Sequence, residues 1–457
     1  SQTSLQHPQS LYLWEMRPKM VAVTFLLRWA CLLSFPMLGR GLVLWDRPFI
    51  TVWNAPTQEC QEKYHVDLNL EVFDVVINRN ESFRGREMTI FYSDLLGYYP
   101  HYTENGIAVN GGVPQNSSLK DHLWKAQQDI KTIISEPDFQ GLAVVDWEKW
   151  RPLWIRDWDS MKIYRDKSEY LIQEQHPEWP PKKVAKKAKS KFEQSGRAFF
   201  EQTLVLGKTL RPGGFWGFYG FPNCYNYKFK DVGYTGECPQ IEKKRNEVLQ
   251  WLWNQSQALY PSIYLPEALK HTNLTLKFVH HRIQEAFRMV ERAGNNNLPV
   301  LPYARIAYEL TMDFLSQDDL IHTIGESAAQ GASGIILWGN KDYSRTKESC
   351  LAVKKYVDSH LGHYIVNVTS STSLCSQVLC SNHGRCVRRD SHPKAFLHLS
   401  PASFNIETIK KHCGESCSPL LEQMSKEELA KMAEEFRCRC YDGWEGTQCK
   451  RRTSWEE

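Results

Sequence analysis

The sequence predicts an α/β fold, a (β/α) barrel of the TIM type followed by a small disulfide-rich module. Three observations carry that prediction: short apolar runs alternate with helical segments, cysteines crowd toward the C-terminal end, and the composition is that of a globular protein. With 457 residues, 42% hydrophobic and 24% charged, the length suits one large α/β domain plus something small.

The apolar runs are "EVFDVVI", "EMTIFYS", "GLAVVDWE", "FWGFYGFP", "PSIYLPEA", "LPVLPYARIAY" and "ASGIILWGN". Strands that alternate with helices pair in parallel, and this many within about 330 residues suggests a closed barrel. Between them, "DHLWKAQQDIKTIIS" and "VHHRIQEAFRMVERAG" show helical apolar spacing, the second stopping at Gly294. The lysine run "PPKKVAKKAKSKFEQ" reads first as a solvated helix face and second as a polyanion-binding patch.

Ahead of the barrel, residues 21–38, "VAVTFLLRWACLLSFPML", fit a signal-peptide core preceded by Arg17 and Lys19, with cleavage near Gly39 and Gly41. Arg28 interrupts that core, the alternative is a short membrane anchor, and Met16 or Met20 would be the biological start. Thirteen cysteines and sequons at Asn80, Asn116, Asn254, Asn273 and Asn367 point to the secretory route, hence to a secreted or lysosomal protein. Removing Cys31 with the signal leaves twelve cysteines, an even number that can pair completely. The C-terminal "KRRTSWEE" carries no apolar tail, so no lipid-anchor signal or terminal membrane span is expected. A net charge of +4, from 56 basic against 52 acidic residues, is too mild to argue for nucleic acid but tolerates an acidic polymer.

Near Thr369 the texture changes. Cys375, Cys380 and Cys386 form C-x4-C-x5-C, and Cys438, Cys440 and Cys449 form C-x-C-x8-C, the spacing of an EGF-like disulfide module whose halves are separated by an inserted loop. Zinc is the second reading of any such cluster, but a secreted chain favours disulfides, and no acidic calcium-binding signature accompanies the module. The expected organisation is residues 1–41 signal and upstream, 42–370 barrel, 371–451 EGF-like module and 452–457 tail.

The stretch "GLAVVDWEKWRP" holds the candidate chemistry. Leu142, Ala143, Val144 and Val145 form the unbroken apolar run of a strand buried on both faces, and Asp146 and Glu148 follow at its end. An acid at a strand end is often a solvated loop residue or a helix cap. Here residues i and i+2 of an extended strand project to one side, with Cα atoms about 6–7 Å apart, at the strand end where such sheets place their chemistry. A general acid needs its carboxyl kept protonated, and a neighbouring carboxylate raises that pKa above the ordinary glutamate value of about 4.3.

"VVDWEKWRP", "GFWGFYGFPNCYNY", "ALYPSIYLP", "ESAAQGASGIILWG" and the terminal module together resemble the animal hyaluronidases, glycoside hydrolases that cut hyaluronan. Within that family the chain is similar to the soluble somatic, lysosomal type. The resemblance implies a distorted (β/α) barrel with a long polysaccharide groove, and endo-hydrolysis of the β-1,4 bond after N-acetylglucosamine. It assigns Glu148 as general acid and Asp146 as its partner, which holds the substrate's acetamido group. Tyr219 and Tyr264 hydrogen-bond in the site, and Trp338 packs on the sugar. Tyr92 and Asn54 lie nearby, and Arg151 fixes a carboxylate. By composition alone Trp338 and Tyr264 read as core aromatics, Tyr219 as support for a cysteine loop and Arg151 as a structural ion pair.

The resemblance also implies the pairs Cys60–Cys350, Cys224–Cys238, Cys375–Cys386, Cys380–Cys438 and Cys440–Cys449; Cys413 and Cys417 fall outside that framework, and whether they pair with each other stays open. It requires no metal and no organic cofactor. The expected partner is hyaluronan or chondroitin, acted on by a monomer. The rival reading is a protein of the same fold that binds glycosaminoglycan without cutting it, which loss of either acid would favour.

Overall fold

The computed structural model describes Leu44, residues 47–409 and residues 418–453. The signal segment with Cys31, and Cys413 and Cys417, lie outside the described residues. Seven short parallel strands build the barrel: β1 (Ile50–Asn54), β2 (Val75–Ile77), β3 (Met88–Tyr92), β4 (Leu142–Asp146), β5 (Phe215–Phe218), β6 (Tyr303–Ala304) and β7 (Gly334–Trp338). They form two sheets, β2-β1-β7-β6 and β3-β4-β5. Single bridges Tyr219↔Tyr260, Leu259↔Val300 and Ser262↔Tyr303 knit residues 259–262 between β5 and β6, which makes the two sheets one run. β2 and β3 stand at its two ends. Their side chains Val75, Met88 and Ile90 belong to one interior cluster, so apolar packing draws the ends together where the ladder stops. The fold is a distorted (β/α) barrel.

Apart from β2, whose Val76 is exposed, the strands are buried on both faces, so most of them read as apolar runs. Positions i and i+2 point inward: Ile50 and Val52, Met88 and Ile90, Leu142 and Val144, with Tyr260, Tyr303 and Ile336, fill the interior. The alternate positions Phe91, Val145, Trp216 and Phe218 pack outward with the covering helices α1 (Leu119–Ile133) and α2 (Pro181–Leu210). Strand β1 falls outside the runs singled out in the sequence because Thr51 and Asn54 dilute it. Thr51 is nonetheless buried, its N–H and hydroxyl donating to Asp74 Oδ2 at 2.8 and 3.0 Å.

Helix α1 starts where Ser118 Oγ accepts the Asp121 N–H at 3.2 Å, and it buries His122, Ala126 and Ile130, one face at a spacing of four. Helix α2 starts at Pro181, whose missing N–H costs nothing in a first turn, and buries Val184, Ala188, Phe192 and Phe199. Its lysines 182, 183, 186, 187, 189 and 191 are exposed, the solvated face of the first reading. Gly207 is required on α2, because a Cβ there would lie 2.6 Å from the Trp216 ring.

Five disulfides join the same pairs that the resemblance implies: Cys60–Cys350, Cys224–Cys238, Cys375–Cys386, Cys380–Cys438 and Cys440–Cys449. The first spans 290 residues and ties the segment after β1 to the segment after β7, two strands that are neighbours in the sheet. The C-terminal module contains the antiparallel pair β8 (Gly384–Arg388) and β9 (Phe436–Cys440). Cys375 and Cys380 sit on helix α4 (Gly362–Cys380), preceded in the barrel by α3 (Thr275–Arg292), so one helix runs across residue 371 and belongs to both parts.

The module is locked to the barrel by a buried carboxylate. Glu326 is 0% exposed and accepts Arg388 Nη1 at 2.8 Å and Nη2 at 2.7 Å, with His280 Nδ1 and Gln330 Nε2 each at 2.7 Å. Burial alone pushes this carboxyl up, but the hydrogen bonds from His280 and Arg388 outweigh it and hold the pKa below the usual range.

Candidate active site

At the carboxyl ends of the strands the inward parity continues, but the residue types change. After Ile50 and Val52 comes Asn54; after Met88 and Ile90, Tyr92; after Leu142 and Val144, Asp146; after Ile336, Trp338. Register puts Tyr92 beside Asp146 and Asn54 beside Trp338, so these side chains form one layer on top of the apolar interior. Chemistry in barrel enzymes gathers at this end.

Asp146 and Glu148 share a cavity of about 150 Å³ with Tyr92, Tyr219, Tyr264, Tyr303 and Trp338 over a floor that includes Ile90. Trp147, between the acids, points the other way. Its ring stacks on Tyr99 at 4.5 Å and meets Phe200 and Phe218 edge-on or tilted at 5.5 Å, which anchors the strand end in the outer core and fixes both acids on the inner side. Beneath it His122 is buried, its Nδ1 accepting the Tyr98 N–H at 3.0 Å. Burial lowers the pKa of His122 to about 4, so the ring stays neutral.

The two carboxyls line one cavity, close enough for Asp146 to feel the charge of Glu148. Burial first, then the charge of Glu148, pushes the Asp146 pKa well above the aspartate range, while Arg151 opposes the rise. The Oδ1 of Asp146 is out of solvent with no protein partner. Tyr219 and Tyr92 are also pushed up, each by burial first and then by the charge of one acid, Glu148 for Tyr219 and Asp146 for Tyr92. Both therefore remain protonated hydrogen-bond donors. The Tyr219 ring lies tilted to that of Tyr264, with centroids 6.2 Å apart. Trp338 donates its Nε1–H to Tyr92 Oη at 3.3 Å and lies near-parallel to Tyr264 at 6.3 Å.

Of the eight residues singled out from the sequence, the structure brings six into the cavity wall: Asp146, Glu148, Tyr219, Tyr264, Trp338 and Tyr92. Asn54 reaches the same layer but is fully buried outside the wall, with both amide atoms unpartnered. Arg151 also stands outside the wall: its N–H donates to Asp157 Oδ1 at 2.7 Å and its guanidinium lies over the Phe221 ring at 5.6 Å. Two residues were not singled out. Tyr303 lines the cavity edge-on to Tyr219 at 4.9 Å, and Arg305 places its guanidinium 5.5 Å from the Trp338 ring. The alternation Tyr303, Arg305 in "LPYARIAY" is the signal that marks them, once the strand's inward parity is known. Among the described residues no group of three or more His, Cys, Asp or Glu is arranged to hold a metal ion.

A cleft of tyrosines and tryptophan around two neighbouring carboxyls, at the carboxyl ends of barrel strands, is the architecture of a glycoside hydrolase. Residues 40–453 match the family model described as hyaluronidase. The chain is 54% identical to hyaluronidase-1 of Homo sapiens over 416 residues, 91% of this chain and 95% of that protein. It is 50% identical to hyaluronidase-1 of Mus musculus over 460 residues, covering 98% of each. Among solved structures, bee venom hyaluronidase in complex with a hyaluronic acid tetramer aligns with a TM-score of 0.59 at 31% identity, covering 69% of this chain and 98% of that one. The chain belongs to the hyaluronidase family of glycoside hydrolases.

Proposed function

We propose that the protein is an endo-β-N-acetylhexosaminidase that cleaves hyaluronan at the β-1,4 bond between N-acetylglucosamine and glucuronic acid, with retention and with the sugar's own acetamide as nucleophile. The observation that carries this is that Asp146 and Glu148, two residues apart at one strand end, line the same small cavity. Retaining glycosidases with a protein nucleophile hold their carboxyls about 5–5.5 Å apart on opposite sides of the bond, and inverting ones about 6.5–9.5 Å. Two carboxyls side by side at one strand end serve neither geometry. They serve one face of the sugar.

Glu148 is the general acid that protonates the leaving oxygen, and then the base that draws a proton from the incoming water. Asp146 and Tyr219 orient the acetamide and stabilise the charge it develops. Tyr264 fixes Tyr219, Trp338 and Tyr92 pack on the sugar, and Asn54 and Arg151 position the layer from behind. The acetamide oxygen bonds to the anomeric carbon as the glycosidic bond breaks, and water opens the oxazolinium-like product. The presence of both acids supports hydrolysis over binding without cutting.

Five disulfides and the sequon asparagines support a secretory, secreted or lysosomal protein. Asn80, Asn116, Asn254 and Asn273 are exposed, as glycan attachment requires; Asn367 is half-buried, its Oδ1 accepting the Leu399 N–H at 2.7 Å. No described helix is long and apolar enough to cross a membrane. The protein is proposed to act as a monomer, with residues 42–370 catalytic and 371–451 an accessory module. Incubation of the purified protein with hyaluronan and with chondroitin across a range of pH, followed by product sizing, tests this reading. Even-numbered hyaluronan oligosaccharides with N-acetylglucosamine at the reducing end are the expected outcome; binding without shortening would overturn it, and faster cutting of chondroitin would reassign the substrate.

A further inference from the structure

The most exposed tryptophan among the described residues is not at the catalytic cleft. Trp124, 60% exposed on α1, and Tyr98, 39% exposed in the loop after β3, line a separate open cavity of about 390 Å³. It shares no residue with the cavity of the acid pair. Its other walls are polar: Asn110, Asp121, and the consecutive residues Asn116, Ser117 and Ser118, which form a glycosylation sequon.

The backbone around this surface is held by hydrogen bonds before anything binds. Tyr98 is pinned through its N–H to His122, and Asn116 sits in a short 3-10 turn. Ser117 Oγ donates to Asn110 O at 2.5 Å and Val113 O at 2.8 Å, while Ser118 Oγ caps α1. An aromatic face costs free energy when left in water, and it suits the apolar face of a pyranose ring whose hydroxyls turn to polar neighbours. The Asp121 carboxylate at the rim disfavours a polyanion such as hyaluronan and is neutral toward an uncharged sugar.

We propose that the Tyr98–Trp124 surface is the seat of the N-linked glycan on Asn116, whose first N-acetylglucosamine stacks on the aromatic pair. The inference rests on Asn116 being glycosylated, which is part of the functional reading above. Tethering to the rim of its own seat gives this sugar an effective concentration that a free one lacks. The contact covers the aromatic pair and ties the loop after β3 to the first turns of α1.

The test uses the full chain secreted from animal cells. Glycopeptide mass spectrometry first establishes occupancy of Asn116. Enzymatic deglycosylation under native conditions is then timed site by site. Asn116 should release its glycan about tenfold more slowly than the exposed sites Asn80 and Asn273, and Trp124→Ala should erase that lag while leaving hydrolysis unchanged, a factor equivalent to about 1.4 kcal/mol. Deglycosylation, or Asn116→Gln, should increase acrylamide quenching of tryptophan fluorescence in the parent chain and not in Trp124→Ala. An unoccupied Asn116 would overturn the proposal and the glycosylation reading together. An occupied Asn116 with equal release rates, or protection of Trp124 by added hyaluronan oligosaccharides alone, would overturn the proposal and leave that reading intact.

Discussion

Two enclosed carboxyls, one at the junction with the C-terminal module and one at the mouth of the barrel, meet opposite fates. Burial pushes both upward. Glu326 is then surrounded by the donors of Arg388, His280 and Gln330 and ends below the usual range. Asp146 has another carboxyl as its neighbour and one oxygen without any partner, and it ends well above. The difference teaches that burial alone does not separate a structural acid from a reactive one. The partners do: a fully satisfied carboxylate holds the fold together, whereas one left waiting for a proton and a ligand is available for chemistry.

The contrast can be broken by exchanging carboxyl for amide in each place. Glu148→Gln should reduce the turnover of hyaluronan by about 10²–10⁴-fold or more, the usual worth of a general acid, with thermal unfolding and hyaluronan binding nearly unchanged. Turnover near the parent value would remove Glu148 from the role. Glu326→Gln should do the reverse. It leaves the Arg388 guanidinium buried without its counter-charge, which costs about 3–5 kcal/mol in denaturant unfolding, while activity per folded molecule is retained.

Smaller and more diagnostic is the pH dependence of stability. The Asp146 pKa is raised in the folded state, so its contribution to stability is fully present below the unfolded value of about 3.9 and is lost as pH rises through the folded pKa. Asp146→Asn does not titrate, so it should gain stability relative to the parent at neutral pH and little near pH 4, along with a large loss of turnover. The Glu326 pKa is depressed, so its contribution is present above the unfolded glutamate value of about 4.3 and is lost as pH falls through the folded one. Melting curves of the two amide variants across pH should therefore diverge from the parent in opposite directions. The same direction in both would contradict the contrast.

The mouth of the barrel was legible in the sequence because it rests on a local rule. Asp146 and Glu148 share a face through strand parity alone, and the apolar run before them identifies the strand. Tyr303 and Arg305 were not legible in the same way, since "LPVLPYARIAY" does not reveal which parity faces inward until Ser262 and Ile336 are seen beside Tyr303 in register. Strand β1 escaped because its buried Thr51 is satisfied by Asp74, 23 residues away, a contact no local pattern announces. The junction was the least legible part. Cys375 and Cys380 identify the module by spacing, but that they ride on a barrel helix, and that Arg388 answers Glu326 62 residues earlier, are tertiary facts.

The central claim is that the reaction lacks a protein nucleophile because both acids attend one face of the sugar. It is tested most directly by following the anomeric configuration of fresh product by NMR, with hyaluronan and with its de-N-acetylated counterpart as substrates. The account predicts a β-configured reducing end from hyaluronan and no cleavage of the stripped polymer. An α-configured first product, or efficient cutting of the polymer without its acetamide groups, would contradict it.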